Sequence, residues 1–190
     1  MIAEYYSGNI CFFNFTDLTA TELEQILTWR NHRDIRSMMN NEEIISLVNH
    51  MEFIKKLSGN QFSKYWMVKR KNNPCGVVYL HLKKNESKLA EWGYYLSPIY
   101  LGSGVGLEVG FEAIHIFFRE LKIDELIGFV KNVNIENQRI QKALGFIEGF
   151  STQNLVPFKL TTEFYNKLPE QFSIFQRTMF YGRKAIPDNQ

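Results

Sequence analysis

Apolar positions along this chain fall into short runs with two different periods. Asn9 to Phe15 (NICFFNF) has the density of a first strand. From Thr19 the period becomes helical. Leu23, Ile26 and Leu27 share one face, and Thr19 with Glu22 has the spacing of a capping box, so a helix is expected to about Arg30. WRNHRDIRSMM, from Trp29 to Met39, continues as a second short helix or an irregular turn. Ser46 can cap a further helix with Val48, Met51, Ile54 and Leu57 on its inner face and Gly59 as its stop. Three strands follow, at about Tyr65 to Lys69, Gly76 to Leu82 and Leu89 to Leu96. The turn residues Asn72-Asn73-Pro74 and Lys84-Asn85-Glu86-Ser87 separate them, which predicts an antiparallel meander. A helix from about Gly104 to Leu121, a strand from Leu126 to Val130 and a helix from about Ile135 to Leu144 come next. Phe146 to Phe150 and Phe172 to Tyr181 read as final strands, and the polar segment between them has no pattern. No repeat or linker divides the chain, so residues 1–190 are expected to form a single domain of mixed α/β (α+β) class.

One junction stands out. Ala90 to Leu107 reads AEWGYYLSPIYLGSGVGL: a strand, a Pro-marked turn, then Gly102, Gly104 and Gly106 at every second position before a helix. Amide groups at a helix start lack intrahelical partners and favour an anion, and glycines let backbone approach a phosphate. The sequence therefore reads as a pyrophosphate cradle or as an ordinary Gly-rich connection. Two standard phosphate loops do not fit. Leu107 stands where a nucleoside-triphosphatase loop needs Lys, and the spacing is G-x-G-x-G, not the dinucleotide G-x-G-x-x-G.

Composition narrows the classes. The 190 residues are 45% hydrophobic, enough for a sizeable core, and the net charge of +2 argues against a nucleic-acid partner. Cys11 and Cys75 lie far apart with no CxxC, as expected of free thiols in a reducing cytoplasm. No run approaches membrane-spanning length, and no signal-peptide progression opens the chain. A cytoplasmic protein with no membrane partner is expected.

The junction resembles motif A of the GNAT superfamily of acetyl-CoA-dependent N-acetyltransferases, whose pattern is Arg/Gln-x-x-Gly-x-Gly/Ala after a strand. Here it reads L-G-S-G-V-G from Leu101, with Leu101 in place of the Arg or Gln. NIENQRIQKALGF, from Asn134 to Phe146, is similar to the superfamily's Asn-start helix ending in Leu-Gly-Phe. The resemblance implies a mixed, mostly antiparallel sheet flanked by helices and splayed at the acetyl-CoA site. It implies acetyl-CoA contacts from Tyr95, Leu96, Leu101, Gly102, Ser103, Gly104, Val105, Gly106 and Asn134, with the Leu96 amide as oxyanion donor and no metal. Capping alone would also explain Asn134. Within the superfamily, WRNH (Trp29 to His32), Arg36 to Met39 and ISLVNHMEFIKKL (Ile45 to Leu57) resemble the branch that acetylates the 4-amino group of a UDP-linked amino-dideoxy sugar in pseudaminic-acid biosynthesis. They look less closely like ribosomal-protein N-terminal acetyltransferases.

That resemblance places Trp29, Arg30, Met39 and His50 on the acceptor wall. His50 reads as a sugar-nucleotide contact or proton shuttle, or as a helix-surface histidine. Arg30 and Arg36 read as pyrophosphate partners or surface charges. Trp29 and Met39 read as core or pocket wall. An ammonium cannot attack a thioester, so a base is needed. Glu91 is the candidate, with His81 on the preceding strand; a solvent-facing Glu91 is the alternative. Many members of the superfamily place a Tyr seven residues after the helix-starting Asn as proton donor to the thiolate. Here that residue is Gln141, so Tyr95, Tyr94 or a water must serve, and Tyr95 is chosen because it precedes the expected splay. A peptide acetyltransferase and a non-catalytic acetyl-CoA-binding module remain alternatives, and a homodimer is left open.

Overall fold

Chain order gives β1 (Tyr5–Ser7), β2 (Ile10–Asn14), α1 (Ala20–Asn31), α2 (Arg33–Arg36), α3 (Leu47–Leu57), β3 (Ser63–Arg70), β4 (Asn73–Lys83), β5 (Glu86–Leu96), α4 (Val105–Arg119), β6 (Glu125–Lys131), α5 (Ile135–Ala143), β7 (Ile147–Glu148) and β8 (Leu155–Thr161). The structure is a computed structural model that describes residues 4–7, 9–84 and 86–167. The strands form one sheet in the order β1-β2-β3-β4-β5-β6-β8-β7, antiparallel except where β5 runs parallel to β6. The expected meander is β3-β4-β5, in continuous antiparallel register apart from one irregularity in each pairing.

Local chemistry sets the helix starts. Thr19 Oγ1 accepts the Glu22 amide while Glu22 Oε2 accepts the Thr19 amide, the reciprocal capping box expected from spacing. Ser46 Oγ and Asn134 Oδ1 each accept an amide of the first turn, at 3.2 and 3.1 Å.

Strand alternation gives the sheet two buried faces. Trp66, Val68, Val78, Leu80, Ala90, Trp92 and Leu96 point to α4 and meet Val109, Ala113 and Phe117 in the larger core. Met67, Val77 and Tyr95 point to the other face and meet Leu23, Ile26, Trp29, Ile35, Ile54 and Leu57. Burying such a side chain contributes roughly 1.5–3 kcal/mol.

Several expectations shift. The inner face of α3 is His50, Ile54 and Leu57, and Val48 and Met51 are exposed at 67% and 39%. β1 and β8 were not expected, and β8 inserts between β6 and β7. The strand expected over Phe146 to Phe150 shrinks to Ile147–Glu148. The strand expected over Phe172 to Tyr181 lies outside the described residues. Cys11 and Cys75 are free. No helix of the described residues is long and apolar enough to cross a membrane.

Candidate active site

β5 and β6 are paired only at Leu89↔Glu125, Ala90↔Leu126 and Glu91↔Ile127. β6 stays bonded to β8 as far as Lys131, so beyond Glu91 the two parallel strands part. A cavity of about 280 Å³ fills the opening, lined by Gly93 to Leu96 on one side and Gly128 to Lys131 on the other. Ser97 N–H donates to Cys75 O on β4 at 2.8 Å. Strand alternation then turns the Leu96 N–H away from β4, toward the gap.

The glycine loop closes one end. Gly102 and Gly104 have φ of 68° and 82°, conformations that disfavour any Cβ. Gly104 is the N-cap of α4 and has no side chain to satisfy its first amides. Leu101, Gly102, Gly104 and Gly106 line the cavity, whereas Ser103 and Val105 are not among its lining residues. Ser103 Oγ braces the turn by donating to Tyr100 O and accepting the Val105 amide. At Gly106 a Cβ would lie 3.2 Å from the Tyr94 hydroxyl, which donates to Asn137 Oδ1 on α5. Asn134 also lines the cavity. A positively polarised helix start whose N-cap has no side chain, beside a strand with the Leu96 amide turned to the gap, fits an acyl-coenzyme A: the loop suits its pyrophosphate, and the open β5 edge suits its amide-bearing arm.

The other wall comes from the opposite sheet face. Asp34, Ile35, Met38, Met39 and Asn40 reach the cavity from α2 and the segment after it, and Tyr79, Tyr95, Phe129 and Lys131 from the sheet. Tyr79 lies across Gly93, where a Cβ would be 2.2 Å from the hydroxyl. Burial chiefly pushes the Tyr79 phenol up to about 12, with Glu91 adding and Arg30 opposing. Burial also raises the Tyr95 and Tyr94 phenols. Tyr65 stacks on Tyr79 at 5.4 Å and its hydroxyl meets His81 Nε2 at 3.1 Å, while His81 Nδ1 meets Ser63 Oγ at 2.9 Å. Burial lowers the His81 pKa against the pull of Glu91.

The segment over residues 37–46 is tied down by side chains. Arg30 donates to Asn41 O at 2.8 Å, Arg36 to Glu42 O at 2.7 Å and Lys131 to Ser37 O at 2.9 Å. Lys131 also pairs with the Glu42 carboxylate. Asn31 exchanges two hydrogen bonds with the Ile45 backbone.

Of the residues singled out from sequence, Met39, Tyr95, Leu96, Leu101, Gly102, Gly104, Gly106 and Asn134 meet at the cavity. Glu91 does not line it. It sits one residue before the opening and pairs with Lys83 at 3.4 Å. Trp29 is core. Arg30 gives Nη2 to the 37–46 segment, while its Nη1 is buried with no hydrogen-bond partner among the described residues. His50 is 5% exposed between α1 and α3, with Nε2 3.1 Å from Leu23 O. The ring is thus placed in helix packing, away from the acceptor wall, because its position on α3 faces inward. Sequence reasoning missed Tyr79, Phe129 and Lys131. Gly93 inside a strand was the available signal, since such a glycine marks a close approach by a neighbour.

Residues 13–147 match the Acetyltransferase (GNAT) domain family. Over 118 residues the chain is 34% identical to Acetyltransferase PseH of Campylobacter jejuni, covering 62% of this chain and 71% of that protein. The crystal structure of Campylobacter jejuni N-acetyltransferase PseH in complex with acetyl coenzyme A superposes with a TM-score of 0.66 at 25% identity, covering 80% of this chain and 99% of that one. Spermidine N-acetyltransferase from Vibrio cholerae, in complex with CoA and spermine, superposes with a TM-score of 0.75 at 19% identity over 84% of this chain and 99% of its own, a likeness of fold.

Proposed function

Since the chain belongs to the GNAT acetyltransferase family and is an acetyl-CoA-dependent N-acetyltransferase, we propose that its acceptor is the amino group of a nucleotide-linked amino-dideoxy sugar. The acceptor would be of the UDP-4-amino-4,6-dideoxy-N-acetyl-altrosamine type. The observation that carries this reading is the 34% identity to PseH. It agrees with the resemblance of Trp29 to His32 and Ile45 to Leu57 to the sugar-acetylating branch. The acceptor wall supports it chemically: Met38, Met39 and Phe129 offer apolar surface for a deoxy sugar, while Tyr79, Asn40 and Lys131 offer polar groups for its hydroxyls and carrier.

Transfer is direct. The neutral amine attacks the thioester carbonyl carbon, the C–S bond breaks, and one proton passes from nitrogen to sulfur. The Leu96 N–H is the proposed oxyanion donor. Gly102, Gly104, Gly106 and Asn134 hold acetyl-CoA. Glu91 is the proposed base, acting through Tyr79 or water because it stands behind the cavity wall. Tyr95 is the side-chain candidate for the acid, with a water as the alternative donor; burial keeps its phenol protonated.

Coenzyme A release by the purified protein, measured with a thiol reagent, tests the acceptor. Turnover is expected with the UDP-linked amino sugar and not with N-terminal peptides or spermidine. Ready acetylation of ribosomal-protein N-termini with no sugar turnover would overturn the reading.

A further inference from the structure

Two buried polar atoms in the cavity wall have no hydrogen-bond partner among the described residues: the Trp92 indole N–H and the Gln141 side-chain oxygen. One is a donor and the other an acceptor. Both residues are 2% exposed and both line the cavity. They converge on one point. A Cβ on Gly128 would lie 3.3 Å from Trp92 Nε1 and 3.7 Å from Gln141 Oε1. Gly128 follows the last paired residue of β6, so this point is the floor of the gap, on the α4–α5 side. The indole cannot turn away, because its ring is stacked on Phe146 at 5.4 Å and on Tyr94 at 5.7 Å. Leaving both groups unmet would be costly. A donor and an acceptor that face one point in the cavity lining suit a single water, which needs two to four polar partners.

We infer that Trp92 and Gln141 hold an ordered water over the bare face of Gly128, and that this water relays the proton to the departing sulfur. The relay rests on the acetyl-transfer chemistry proposed above. In that step the water gives one proton to the thiolate and receives one from the nitrogen side, so it leaves the reaction unchanged. Trp92 and Gln141 are positioning residues that act through it. The water stands on the face of the glycine loop, opposite Tyr95, and takes the place of Tyr95 as the donor to the sulfur.

The indole proton reports on the site without any substrate. The chain has three Trp residues, so Trp92 can be assigned in ¹H–¹⁵N spectra by the signal lost in Trp92→Phe, or by elimination with Trp29→Phe and Trp66→Phe. An exchange or NOE cross-peak between the Trp92 indole proton and water is expected in the wild type. Gln141→Leu and Gly128→Ala should each weaken it and shift the indole signal upfield, while Gln141→Glu, which keeps an acceptor, should retain it. In turnover, Gln141→Leu should lower kcat by up to about 10²-fold, the lower end of what a positioned acid contributes, and reduce the solvent isotope effect, with KM for acetyl-CoA unchanged. An indole signal identical in wild type and both variants would overturn the water site. An altered indole signal with unchanged kcat and isotope effect would overturn the relay. Because the spectra need no acceptor, failure of the sugar assignment is read separately.

Discussion

Tyr79 can lie over the floor of the acceptor wall only because residue 93 carries no side chain. A Cβ there would stand 2.2 Å from the hydroxyl and 2.4 Å from the ring carbon that bears it. The ring has little room to retreat, since Tyr65 stacks behind it. Gly93→Ala is therefore expected to cost about 1–3 kcal/mol through overpacking and to weaken acceptor binding. In a Tyr79→Leu background the same substitution should cost much less, which thermal denaturation of the four proteins of the cycle would show. An equal cost in both backgrounds would mean that Tyr79 is not the cause. At this scale the sequence was partly legible. The glycines of the loop announced themselves by spacing and by their place before a helix, and Gly102 and Gly104 do take positive φ. Gly93 gave no such pattern, because what it makes room for is a residue fourteen positions earlier, on the neighbouring strand.

Among the elements, α3 shows how a stripe can be misread. Val48, Met51, Ile54 and Leu57 are spaced by three, and at 100° per residue such a row drifts by half a turn over its length. The row that stays on one side is His50, Ile54 and Leu57, and that is the buried one. Because the histidine is buried chiefly without a charge partner, desolvation lowers its pKa, with the Leu23 carbonyl pulling the other way. His81, also desolvated, is lowered too. The unfolded chain then binds protons near pH 6.5 that the folded chain refuses. The stabilisation is fully present above that pH and is lost as the pH falls from about 6.5 through the lower folded-state values. Melting temperatures should therefore drop between pH 7.5 and 5.5, and less steeply in His50→Gln. The variant should be less stable at pH 7.5 by about 1–3 kcal/mol, the usual cost of disturbing a buried hydrogen bond, with its acceptor KM unchanged. A raised KM in a variant of wild-type stability would restore His50 to the acceptor wall. β8 was missed for a different reason. Pro157 argues against an interior strand, although the inward row Val156, Phe158 and Leu160 alternates without a break. The strand tolerates it because β7 pairs only with Phe158 and Lys159, leaving Pro157 at the end of that ladder.

Over the whole molecule, the sheet separates two tasks and the gap between β5 and β6 joins them. The glycine loop and α4 stand on one side, and α1, α2 and the 37–46 segment on the other. The local elements were readable from periodicity and caps. The splay was expected only by family resemblance, because it depends on which strand pairs with β6, and β8 lies outside the segment that carried the motifs. The 37–46 segment has little apolar anchorage, with Ile44 at 69% exposure, so its position depends on the polar ties from Arg30, Asn31, Arg36 and Lys131. Among the described residues, Lys131 ties it to the far side of the gap, through the Ser37 carbonyl at 2.9 Å and the Glu42 carboxylate. The Lys131 side chain is 17% exposed and Glu42 59%, so the ion pair is partly screened and the carbonyl bond carries much of the tie. Lys131→Met keeps the aliphatic stem and removes both bonds. Amide exchange over residues 37–46 should accelerate about tenfold, the change that loss of roughly 1.4 kcal/mol of local stability produces. Acceptor KM should rise several-fold while acetyl-CoA affinity holds, since the glycine loop is untouched. Exchange and acceptor KM both at wild-type values would show that the segment is held by its own side of the gap. A loss of acetyl-CoA affinity would mean that the two halves of the cavity are not independent.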